Sequence, residues 1–203
     1  MKKIGCRIGI IILLLLIISI AFFAHAAAEE MLSFPTVTET DCIWDQNGNL
    51  TSETAYDLEG RPAINSRGFH RALYTWDDHG NLLSEAYYGL DGNLTVIDKG
   101  YARTEYTYYE SSRHEYNVLT EDRYDAEGNR ADIQGEYSYR RDYWENDNII
   151  YSKYYNAQGH LTRPSGGYAQ ILCDYVTDDN NIITVTKRYL DSDGAPLIGV
   201  EGG

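Results

Sequence analysis

Cysteine is scarce in this chain. Of 203 residues only three are cysteines, and Cys6 stands ahead of an apolar run, so neither a disulfide-dense mini-scaffold nor a four-cysteine zinc site is available. Positive charge is short as well: 17 Lys and Arg face 31 Asp and Glu, a formal net charge of -14. Without a basic stripe, nucleic acid is excluded as a partner. Proline and phenylalanine number four each against 19 tyrosines. That bias points to half-buried, pleated surfaces, where tyrosine is favoured, and no amphipathic helical pattern occurs after the first apolar run.

There is one long hydrophobic run. Lys2, Lys3 and Arg7 precede Ile8 to Phe23, and small residues follow at Ala24-His25-Ala26 and Ala26-Ala27-Ala28. This is the pattern of a secretory signal cut after Ala26 or Ala28. Left uncleaved it would serve as a membrane anchor, but it reaches the ~17–25 residues of a span only by counting His25. No cysteine follows it where a lipoprotein needs one. The expected layout is a signal peptide over 1–26, a linker over 27–41, repeats over 42–197 and a tail over 198–203, in a secreted or cell-surface protein.

The rest of the chain repeats. The phrase Ala55-Tyr56-Asp57-Leu58-Glu59-Gly60 returns in altered form at Tyr87–Gly92, Arg123–Gly128, Tyr154–Gly159 and Tyr189–Gly194. A second glycine recurs at Gly68, Gly100, Gly135 and Gly167, with Phe69, Tyr101, Tyr137 and Tyr168 close behind. Counting eight residues on from each second glycine reaches Trp76, Tyr108, Tyr143 and Tyr175, with Trp44 as their counterpart in the incomplete first unit. Between these marks side chains alternate as in strands, for example Ala102, Thr104, Tyr106 against Arg103, Glu105, Thr107. Asp45-Gln46-Asn47-Gly48-Asn49 and Asp77-Asp78-His79-Gly80-Asn81 supply the positive φ of tight hairpins. The expected fold is all-β: about four and a half β-hairpin repeats with Gly-bounded connectors, some ten short antiparallel strands in an elongated twisted sheet or open solenoid.

Around Tyr74–Glu85 and Tyr124–Asn129 the chain resembles the YD repeat of RHS-type bacterial surface proteins, whose units combine an aromatic, Tyr-Asp, a Gly-Asn turn and an aliphatic residue. The resemblance runs over residues 42–197 and implies strand-turn-strand units in extended, coiling sheets. This chain differs in alternating two unlike half-units within about 33 residues.

No catalytic constellation is found. His70, His79, His114 and His160 occupy different repeat phases, no serine or cysteine has a nucleophile setting, and most carboxylates sit in turn phrases. The Asp-rich turns lack the helices and the glutamate of a helix-loop-helix calcium site, so neither metal nor cofactor is expected. Two readings of the aromatic column Trp44, Trp76, Tyr108, Tyr143, Tyr175 stand. The rings pack across neighbouring units as core, or they form a stacking platform for sugars. The expected function is non-enzymatic binding or structural display at the cell surface, with a glycan- or peptidoglycan-binding module as the alternative and a carboxylate-based hydrolase behind it. A glycan or a protein is the expected partner. Cys42 and Cys173 fall at the same repeat position, too far apart to pair in an open array. The apolar stretch Ile182-Ile183-Thr184-Val185 belongs to the outermost strand, an edge suited to self-association.

Overall fold

The computed structural model describes residues 39–165 and 167–198. The expected signal peptide, most of the expected linker and the end of the expected tail lie outside the described residues. Ten strands follow one another: β1 (Glu39–Trp44), β2 (Leu50–Tyr56), β3 (Arg71–Trp76), β4 (Leu82–Tyr88), β5 (Arg103–Glu110), β6 (Tyr116–Tyr124), β7 (Tyr139–Glu145), β8 (Asn148–Tyr155), β9 (Gln170–Thr177) and β10 (Ile183–Leu190). They form one open antiparallel sheet in strict chain order, with β1 and β10 as its outer strands and no helix among the described residues. The all-β repeat expectation therefore holds as a single sheet. Cys42 and Cys173 are both free. The first strand opens at Glu39, three residues inside the expected linker, because Glu39 to Asp41 already pair with Tyr56 to Thr54.

Each hairpin turns where a short polar side chain can replace strand bonding. Asp45 Oδ1 accepts the backbone N–H of Asn47 and of Asn49, both at 2.8 Å, and Gly48 supplies φ 85°. In the third hairpin His114 takes the glycine's place at φ 60°, and the fourth narrows to Asn146-Asp147, both at positive φ. In the first four hairpins the second strand carries a one-residue bulge, at Thr51, Leu83, Leu119 and Ile150, while the fifth is regular. The bulge reverses alternation locally. Ile149 and Tyr151, two residues apart, thus fall on opposite faces.

Neighbouring hairpins are joined by three ladder pairs, for example Ser52 to Thr54 with Leu73 to Arg71, and by one further backbone bond, such as Ala55 N–H to the His70 carbonyl at 2.8 Å. Connectors fold over one face and seal it, burying Phe69, Ala72, Tyr87, Ile97, Tyr101 and Ala131 as the core. Three of the recurrent second glycines, Gly68, Gly100 and Gly135, hold positive φ in crowded surroundings: a Cβ on Gly135 would lie 2.9 Å from Ser165 Oγ in the next connector, and one on Gly100 would lie 3.1 Å from the Ile133 side chain. Along the covered face a ladder of rings crosses the repeats. Phe69 to Tyr87 is 5.0 Å, Tyr87 to Tyr101 6.2 Å, Tyr137 to Tyr154 4.9 Å and Tyr168 to Tyr189 5.0 Å between centroids. Arg123 bridges the gap in the middle, its guanidinium 5.3 Å from Tyr101 and 3.9 Å from Tyr137.

Candidate functional site

The aromatic column divides on folding. Trp76 Nε1 donates to the Leu50 carbonyl at 2.7 Å, Tyr108 OH to the Leu82 carbonyl at 2.7 Å and Tyr175 OH to the Ile149 carbonyl at 3.1 Å. Each acceptor lies 26 residues earlier, in the second strand of the preceding hairpin, where the three-pair junction has ended. These half-buried rings are clasps between repeats, and each uses its only polar group on a backbone carbonyl. Trp44 corresponds to Trp76 but has no hairpin before it among the described residues, and it is 59 % exposed.

Tyr143 is not in the column. Trp144 occupies the fourth position, with Nε1 donating to the Val118 carbonyl at 3.3 Å, again 26 residues back. The count from Gly135 misleads because that glycine comes one residue early. Trp76, Tyr108, Trp144 and Tyr175 each lie 16 residues after Gly60, Gly92, Gly128 and Gly159, so a count from the first glycine finds the clasp in every unit. All length variation sits in the hairpins.

Displaced by one residue, Tyr143 faces the opposite way, onto the face that the connectors leave open. It is 45 % exposed and stacks on Tyr151 at 5.3 Å and 18°. Beside this pair Tyr139 stacks on Tyr155 at 4.8 Å and 10°. The pairings Asp122↔Tyr139↔Tyr155, Thr120↔Arg141↔Lys153 and Tyr143↔Tyr151 place all of these side chains on one face of β6, β7 and β8.

Cations are threaded among the rings. Arg130 lies 4.4 Å and Arg141 4.6 Å from the Tyr139 centroid, Arg103 4.6 Å from Tyr124, and Lys153 Nζ 4.6 Å from Tyr151. Their anionic partners are Asp122, which binds both Arg130 and Arg141, and Glu105, 3.2 Å from Arg103. Four cations thus meet two carboxylates in a chain of net charge -14. Burial, and then the neighbouring Arg141 charge, push the Arg130 guanidinium below its ordinary value. Burial accounts for the larger part, and the like charge of Arg141 adds to it.

Elsewhere carboxylates are committed to structure. On the covered face Glu53 accepts from Tyr74 OH at 2.6 Å and Glu121 accepts from Tyr137 OH at 3.0 Å. The turn carboxylates of Asp45, Asp57 and Asp77 are held below their ordinary 3.8, chiefly by bonds from Asn49, Arg61 and Asn81. A groove of about 610 Å³ between the second and third connectors is edged by Asp98, Asp132 and Glu136, with Tyr101 and Arg123 also lining it and no histidine, serine, threonine or cysteine. Among the described residues no three His, Cys, Asp or Glu side chains are grouped to hold a metal.

The tyrosine–arginine patch was not found by counting repeats, because its members belong to different repeat phases. One signal points to it: six of the chain's 12 arginines fall between Arg103 and Arg141. No family model matches the chain, and no curated relative matches it.

Proposed function

We propose that this chain is an exported, non-enzymatic repeat protein that binds a carboxylate-bearing glycan on the open face of its sheet and holds it at or outside the cell surface. The observation that carries this reading is the patch formed by Tyr139, Tyr143, Tyr151 and Tyr155 with Arg130, Arg141 and Lys153. Tyr143, the exposed ring of the four, offers a phenol surface to the apolar face of a sugar ring, and the other three rings support it by stacking. Guanidiniums beside them bond carboxylates and hydroxyls. The strongly acidic remainder of the chain repels a polyanion, which confines contact to the patch.

A glycan array probed with the exported protein tests this. Acidic glycans, peptidoglycan fragments among them, are expected to be retained above their neutral counterparts. The Tyr143→Ala/Tyr151→Ala variant is expected to lose about tenfold in affinity, or ~1.4 kcal/mol. No retention of any acidic glycan, or retention indifferent to the patch variants, overturns the proposal.

A further inference from the structure

The two outer strands of the sheet are halves of the interface that joins every pair of hairpins inside it. Ser52 to Thr54 of β2 pair with Leu73 to Arg71 of β3, Ser84 to Ala86 of β4 with Glu105 to Arg103 of β5, Thr120 to Asp122 of β6 with Arg141 to Tyr139 of β7, and Tyr151 to Lys153 of β8 with Leu172 to Gln170 of β9. The hairpin pairs Cys42↔Glu53, Tyr74↔Glu85 and Cys173↔Lys187 fix the correspondence of the remaining edges. Thr186-Lys187-Arg188 of β10 stand where Ser52-Glu53-Thr54 stand, and Glu39-Thr40-Asp41 of β1 stand where Arg71-Ala72-Leu73 stand.

Three further observations match these ends to each other. Trp44 holds the clasp position, exposed and without an acceptor among the described residues, while the Val185 carbonyl holds the place of the Leu82 carbonyl that Tyr108 engages. Apolar side chains are exposed at both ends, Ile43 and Trp44 on one and Ile182, Ile183 and Val185 on the other. Charge is complementary on the open face: exposed Arg188 of β10, 2.9 Å from Asp174 in its own hairpin, lies on the same face as exposed Asp41 of β1.

We infer that the outer edge of β10 binds the β1 edge of a second copy of this chain, in the register of the internal junctions. Thr186 lies opposite Asp41 of the second copy, Arg188 lies diagonal to that carboxylate, and the second copy's Trp44 donates to the Val185 carbonyl. The contact is heterologous and leaves both outer edges free again, so it propagates into chains of copies without closing. It goes beyond the glycan reading and does not depend on it.

Engineered cysteines test the register. In the full chain with Cys42→Ser and Cys173→Ser, the pair Thr186→Cys and Asp41→Cys is expected to give a ladder of disulfide-linked multimers under mild oxidation. The shifted pair Ile183→Cys and Asp41→Cys is expected to stay monomeric. Sedimentation velocity on the chain with its natural cysteines gives a second reading: association that rises with concentration and weakens about tenfold in Trp44→Ala. A monomer at every concentration overturns the inference. So does a ladder from both cysteine pairs, a dimer from Thr186→Cys alone, or association indifferent to Trp44→Ala.

Discussion

Arg123 stands where the neighbouring repeats place Tyr87, Tyr154 and Tyr189, and it keeps the ring ladder continuous by lying between Tyr101 and Tyr137. It also bonds Glu121 at 2.9 Å, a carboxylate only 12 % exposed. Arg123→Ala is expected to cost about 2–3 kcal/mol in denaturant unfolding, from two cation–π contacts and a weakened buried carboxylate. Arg123→Tyr, which restores the residue of the other repeats, should cost clearly less; equal stability of the alanine variant and the parent contradicts the ladder. Burial raises Tyr74, Tyr87, Tyr106, Tyr137 and Tyr154 above the ordinary 10.0. A raised folded value means that their contribution is complete below pH 10 and is lost as pH climbs past it. Thermal midpoints should therefore fall steeply above pH 10, with the ionisation of these five tyrosines appearing together with unfolding. The turn aspartates carry the opposite sign. Their depressed values give stability that is present above about pH 3.8 and lost as pH falls below it.

The hairpin is the unit that sequence reading recovers best, for a physical reason. Asp, Asn and Gly in a turn phrase act through their own backbone, so Asp45, Gly48 and Gly80 are legible without neighbours. His114 at φ 60° is not, since only the length of the surrounding hairpin places it in the left-handed region. The bulge is equally silent: Leu83, Leu119 and Ile150 look like ordinary strand residues, and their extra count shows only against a partner strand. That is why Tyr143 and Trp144 exchange roles relative to a simple count. Single substitutions separate them. Trp144→Phe leaves the Val118 carbonyl without its donor and should cost about 1 kcal/mol, whereas Tyr143→Phe should stay within about 0.5 kcal/mol. A larger loss at Tyr143 than at Trp144 would return Tyr143 to the column.

The sheet joins its ten strands in sequence and never closes, which keeps Cys42 and Cys173 in β1 and β9, eight strand positions apart. At ~4.8 Å per strand they cannot form a bond inside one chain, and oxidised protein should show no such linkage in mass mapping. The repeat period made this architecture readable, since each unit adds the same hairpin beside the last. What the period hid is the difference between the two faces. The connectors shield one face, and the other collects Tyr139, Tyr143, Tyr151 and Tyr155 from unlike phases of the repeat. The proposed function rests on that asymmetry, and residue-resolved tyrosine labelling of the protein, with and without an acidic glycan, measures it directly. Tyr143 and Tyr151 should label in the free protein and become protected on glycan binding, while the buried Tyr87 and Tyr101 remain unlabelled in both. Equal labelling of Tyr87 and Tyr143 would contradict the two-faced sheet, and an unchanged pattern with saturating acidic glycan would contradict the binding face.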